Sequence, residues 1–190
     1  GVAVDPRRDA VLGAEIFTAH DNTDSRGRFS VILPPGIFDI QFDPPAGAPQ
    51  TAVIRADVVV AGDTNIGTQV LADGWMVSGT VRDADGTPLR QVDLDFRASA
   101  TGAMLPTAWD QTDGLGRFTV RVPMGTYDIT FTSQVNSLLG VTVRGGIGVV
   151  ADRALTDTVL PLFDADGDGV GDAVDRCPFL SNPTQVDQDG

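Results

Sequence analysis

An all-β fold is what this sequence supports, and three features carry that reading. Apolar residues alternate with polar ones over short runs, and turn formers are abundant, with 22 Gly and 12 Pro in 190 residues. No stretch shows the spacing of an amphipathic helix. Phe118, Val120 and Val122 alternate with Thr119 and Arg121, which buries one face of a strand and wets the other. Phe29, Val31 and Leu33 repeat that pattern. Tight turns follow at Pro34–Gly36 and Pro123–Gly125, where glycine can take positive φ. The next strands carry Phe38, Ile40 and Phe42, or Tyr127, Ile129 and Phe131, so a short-loop hairpin is expected at each place. Asp83–Leu89 (DADGTPL) is expected to be another turn.

The chain also repeats itself. Thr23–Phe42 and Thr112–Phe131 match at 11 of 20 positions without a gap, at an offset of 89. Val58–Leu71 falls on Ile147–Leu160 at the same offset. Upstream, Gly1–Phe17 is set against Gly79–Asp95 at an offset of 78, which implies an 11-residue insertion within Arg97–Gln111. Ordered blocks of this kind mark a duplicated unit. The expected organisation is one β-sandwich over 1–72, a second over 73–162, and a separate segment over 163–190. Setting Gly1 on Gly79 leaves the first strand about three residues short. The sequence is then either a fragment, or that edge is completed by a neighbouring copy through β-augmentation.

Charge separates the last segment from the rest. Of the formal net charge of −13, residues 163–190 hold seven Asp and one Arg. Lysine is absent, all 13 basic residues are Arg, and Glu15 is the one glutamate among 26 acids. An acidic chain without Lys and Arg clusters is not built to bind nucleic-acid phosphates. No run reaches the ~18 apolar residues of a membrane span.

Residues 164–175 read DADGDGVGDAVD. Asp164, Asp166, Asp168, Asp172 and Asp175 occupy loop positions 1, 3, 5, 9 and 12, with Gly169 at 6 and the Val170 carbonyl at 7. A hard cation such as Ca²⁺ takes six to eight oxygens, and this spacing supplies them around a tight loop. The alternative is a solvated acidic linker extended by self-repulsion. Position 12 is Asp rather than Glu, and no helices flank the loop, which excludes a sensor that opens a helix pair.

Two resemblances follow from these residues. The string T-D-x-x-G-R-F-x-V-x-[LV]-P-x-G-x-[FY]-D-I, present twice, resembles carboxypeptidase-regulatory-like domains, relatives of transthyretin-like and collagen-adhesin B-type sandwiches. It covers most of residues 1–161 and implies two tandem Greek-key, seven-stranded sandwiches acting as a spacer or stalk. The Lys–Asn isopeptide bond of many B-type relatives cannot form in a chain without Lys. Residues 164–190, with Cys177-Pro178, Asn182-Pro183 and Gln185, resemble a thrombospondin type-3 repeat. That resemblance implies calcium as cofactor, Asp187 and Asp189 as the start of a further loop, and a disulfide partner for Cys177 outside this chain. A buried free thiol is the other reading of Cys177.

No catalytic constellation emerges, and no enzyme is expected. His20 sits in a loop without a nucleophile, Glu15 lacks a partner carboxylate, and Asp93 and Asp95 share the wet face of a strand. Gly145–Gly148 lacks the Lys of a phosphate loop. The expected function is a non-catalytic extracellular or cell-surface module, structural or adhesive, stiffened by Ca²⁺ and belonging to a larger protein. Its partners are the remainder of that chain and neighbouring copies. The alternative is a carbohydrate- or ligand-binding accessory of a secreted enzyme, with a glycan at Trp109; core or interdomain packing is the competing reading of Trp109 and Trp75.

Overall fold

The computed structural model describes residues 1–8, 16, 18–19 and 21–186. His20, Glu15, Asp187 and Asp189 lie outside the described residues. Ten strands and no helix are found among those that are described. The fold is all-β, as expected.

The second half holds two sheets. β4 (Trp75–Asp83) lies between β6 (Arg117–Val122) and β10 (Thr158–Leu160), with β9 (Arg153–Ala154) also pairing β4. The other sheet runs β5 (Val92–Ala98), β7 (Gly125–Ser133), β8 (Thr142–Val149). Their inward residues form one buried cluster. Val77, Val81, Phe118, Val120, Val122 and Leu160 from the first sheet meet Leu94, Phe96, Ile129, Phe131 and Val149 from the second. Phe118 meets Phe131 edge-on at 5.8 Å across the interface. Each such side chain contributes roughly 1.5–3 kcal/mol by leaving water.

The expected hairpin at Pro123–Gly125 is replaced by a crossing between sheets. β6 pairs β4, whereas β7 pairs β5 and β8. Alternation dictates which face of a strand is buried and says nothing about its neighbour. Here both strands turn their apolar faces to the same core from opposite sides.

The first half holds one three-stranded sheet, β1 (Ala3–Arg8), β2 (Gly36–Asp43) and β3 (Val53–Val60), over a separate cluster of Val4, Phe38, Ile40, Phe42 and Val58. Several details recur between the halves. Val4 faces Phe42 as Leu94 faces Phe131, and a register shift at Asp39 is matched at Asp128. Phe29 meets Phe42 edge-on at 5.4 Å. Asp24 accepts the Arg26 and Arg28 amides and pairs with the Arg28 guanidinium, as Asp113 does for Leu115 and Arg117.

These pairings replace the alignment of Gly1 on Gly79. β1 stands where β5 stands, at an offset of 90, so no 11-residue insertion is required. What has no counterpart among the described residues is the whole of β4. Residues 28–33, equivalent to β6, accordingly form no strand. Without a neighbour their backbone groups have no ladder to join.

Between the halves, the Trp109 indole Nε1 donates to the Pro44 carbonyl at 3.0 Å, and Gln41 Nε2 donates to the Thr107 carbonyl at 3.4 Å. Trp109 holds a left-handed φ of 60° and stays 63% exposed. Carboxylates gather beside this contact. Burial pushes Asp5 up to about 6, with Asp43, Asp21 and the Arg7 cation around it. Burial also pushes Asp93 up to about 6, helped by Asp110 and Asp95, and raises Asp43 and Asp110. A group raised in the fold keeps its proton while the unfolded chain releases it. Stability therefore grows as pH falls from above 6 towards 4. Because Asp5 and Asp93 are partly exposed, a combined gain of only about 1 kcal/mol is expected. The urea midpoint of the chelated protein should rise from pH 7 to pH 5, and Asp93→Asn should flatten the slope. A midpoint that falls over that interval would refute the assignment. The depressed carboxylates Asp24 and Asp113 are held down by backbone amides, so they weaken the fold only below the ordinary Asp range.

Candidate metal centre

Downstream of β10 the chain folds as consecutive turns. Glycines at 167 and 169 take φ of 73° and 93°, a region that side chains rarely adopt, and so wind the loop tightly. Gly171 is buried, and a Cβ there would lie 2.5 Å from Leu162 Cβ, so the loop packs onto the end of the sheet at a point only glycine allows.

Asp164, Asp166 and Asp168 each bring a carboxylate oxygen to within 4.8 Å of the others'. Each is oriented by the loop's own backbone. Asp164 accepts the Gly167 and Gly169 amides, both at 2.8 Å, which hold its carboxyl below the usual range. Asp168 Oδ1 accepts the Val170 amide at 2.8 Å, and its Oδ2 accepts the Asn182 amide at 2.7 Å. Asp166 is raised by loss of hydration and by the nearby charges of Asp168 and Asp175.

Asp175 lies near enough for its charge to act on Asp166. Its Oδ1 accepts the Cys177 amide at 2.9 Å and the Gln185 side-chain amide at 2.8 Å. Asp175 Oδ2 and Asp166 Oδ2 are both buried without a hydrogen-bond donor. A carboxylate oxygen shielded from water without a partner is unfavourable unless a cation supplies the missing charge. The donor set is all hard oxygen, which fits Ca²⁺ and not a soft metal.

Asp172 is used differently. Its Oδ1 accepts the Ala165 amide at 2.8 Å, and its own amide bonds the Phe163 carbonyl, so it closes the loop at its base. Val170 lies two positions after Asp168, which holds it through its amide. Asn182 and Gln185 orient the carboxylates and were not singled out from spacing. Their place in the Asn-Pro-x-Gln string was the available signal. Cys177 is exposed and free among the described residues, so a buried thiol is excluded. No helix among them is long and apolar enough to cross a membrane.

Residues 163–185 match the family model of the thrombospondin type 3 repeat. No curated protein matches the chain. Among solved structures, it is similar to a C-terminal interface mutant of a type II cohesin–X–dockerin complex from Acetivibrio cellulolyticus, at 22% identity, 52% of this chain, 65% of that one and a TM-score of 0.35. It is similar to the Bacillus anthracis TIE protein at 13% identity, 85% and 31% coverage and a TM-score of 0.36. It is also similar to a D295N mutant of the shaft pilin SpaA from Lactobacillus rhamnosus GG, at 11% identity, 80% and 72% coverage and a TM-score of 0.36. The chain spans less than two thirds of the first two of these.

Proposed function

We propose that this chain is a non-catalytic extracellular module whose C-terminal segment is made rigid by Ca²⁺, within a larger surface or secreted protein. The organisation is two duplicated units, 1–72 built on one sheet and 73–162 as a two-sheet sandwich, followed by the calcium segment 163–190. The observation that carries the reading is the pair of donor-less buried oxygens on Asp166 and Asp175, set beside the Asp164–Asp168 triad. Asp164, Asp166, Asp168 and Asp175 would hold the ion through carboxylates and Val170 through its carbonyl; Asp172 braces the loop. Asp187 and Asp189 would open a further loop. Bound Ca²⁺ neutralises a cluster that otherwise repels itself, and so converts loop geometry into stiffness.

The test is limited proteolysis with cleavage sites mapped by mass spectrometry. Calcium should suppress cuts within 163–186 at least about tenfold relative to chelator, because cleavage tracks the open population. Equal cleavage in both conditions would overturn the reading.

A ligand-binding accessory is the second reading, since Trp109 is mostly exposed beside a recess of about 230 Å³ lined by Pro44, Pro45 and Arg121. The indole bond to Pro44 favours a packing role for Trp109. Trp109→Ala is expected to leave retention on immobilised glycans unchanged and to loosen the contact between the halves. Lost retention would restore the accessory reading.

A further inference from the structure

The calcium loop does not hang from the second half on a free tether. Phe163, the residue before the loop, donates its amide to the Leu138 carbonyl at 2.7 Å, and its own carbonyl accepts the Asp172 amide at 2.8 Å. One residue thus joins the bond that closes the loop to the connection between β7 and β8. Gly140 donates to the Pro161 carbonyl at 2.8 Å, and Leu139 stands opposite Leu162. That connection is itself fixed. The Asn136 amide donates to Ser133 Oγ at the end of β7, the Leu138 amide donates to Asn136 Oδ1, and Leu139 packs against the core of the second half. Leu162 also meets Gly171, where a Cβ would lie 2.5 Å from Leu162 Cβ and 3.0 Å from its Cδ1. Unlike Gly167 and Gly169, Gly171 takes no left-handed φ, so this position requires space rather than backbone freedom.

We infer that these contacts form a calcium-dependent joint, which closes when the loop holds its cation and sets the calcium segment in one orientation on the second half. The inference rests on the calcium reading above and names what that site regulates. Without a cation the carboxylates of Asp164, Asp166 and Asp168 repel one another, and the loop that carries them relaxes outward. Gly171 and Asp172 move with it, which frees the Phe163 carbonyl and lifts the loop from Leu162. With the charge neutralised the loop closes and Gly171 seats on Leu162. The pairing of Leu138–Gly140 with Pro161–Phe163 is then held from both sides. Coupling of this kind is reciprocal. A change that keeps Gly171 from seating on Leu162 lowers affinity for the cation by the factor with which the cation favours the seated joint.

Amide exchange of the full chain, resolved by residue with NMR in calcium and in chelator, tests the joint. Calcium should slow Gly140, which lies outside the loop, at least about tenfold along with 163–186, and leave the first half unchanged. Gly171→Ala should weaken calcium binding at least about fivefold in calorimetric titration. Leu162→Gly removes the atoms that the new Cβ would meet. Adding Gly171→Ala to that variant should therefore change the affinity less than about twofold. Protection confined to 163–186 would mean a tethered segment, which overturns the joint and leaves the proposed function standing. Exchange at Gly140 that is equally slow in calcium and chelator would refute calcium control of the joint. Protection at neither place would overturn both readings. An equal loss of affinity from Gly171→Ala in both backgrounds would assign the effect to the loop alone, against the joint.

Discussion

Asp166→Asn is expected to weaken calcium binding at least about tenfold, whereas Asp172→Asn should change it less than about threefold. Asp166 Oδ2 is buried and has no donor, and it faces the charges of Asp168 and Asp175. Removing that charge removes a ligand the cation needs. Asp172 instead accepts a backbone amide with Oδ1, and an Asn oxygen can still accept it. Calorimetric titration of the three proteins measures the difference directly. At calcium a hundredfold above Kd, the segment gains about 2.7 kcal/mol by linkage, a gain Asp166→Asn should largely forfeit. Wild-type affinity in Asp166→Asn would show that the cation is held elsewhere.

The second large effect contrasts twin positions. Phe118→Ala is expected to cost about 3–5 kcal/mol, because it empties a site closed by both sheets. Phe29→Ala should cost at most about half as much, since its ring already borders an open groove and loses less contact. Both rings make the same edge-on contact, with Phe131 and with Phe42, so burial is the variable that differs. Urea denaturation of each variant, in chelator, provides the comparison. Equal costs would mean that the first core is as closed in solution as the second.

The sequence displayed the strand periodicity and the duplication plainly. Thr23–Phe42 and Thr112–Phe131 share the Asp–Arg turn and the bulge at Asp39 and Asp128, although residues 28–33 form no strand where β6 does. Strand partners were less legible. Alternation at Phe118–Val122 reports a buried face, and only the tertiary arrangement shows that β6 and β7 join different sheets. The upstream alignment failed because Gly1–Phe17 and Gly79–Asp95 share composition but not position. The pairing of Val4 with Phe42 is what relates β1 to β5. In the tail, the residues the spacing singled out include Asp164, Asp166 and Asp168, whose carboxylates lie together. That spacing could not tell that Asp172 also accepts the Ala165 amide. The carboxylates at Asp5, Asp43, Asp93 and Asp110 were invisible for another reason. They are distant in sequence, and their perturbation arises from burial and from one another's charge once the chain is folded.

The order of strands around β4 has a mechanical consequence. The second half is entered through β4 and left through β10, and these neighbours lie parallel, joined at Thr158–Leu160 and reinforced by β9 and by the Leu155 amide on Ser78. Tension applied at the two ends would pull β4 and β10 in opposite directions along their length. The bonds between them are then loaded together, in shear, and must fail together. An antiparallel pair pulled from its adjacent ends would instead open one bond at a time. The chain's route through its own sheet thus makes a tensile clasp, with the calcium segment tied directly to its loaded end.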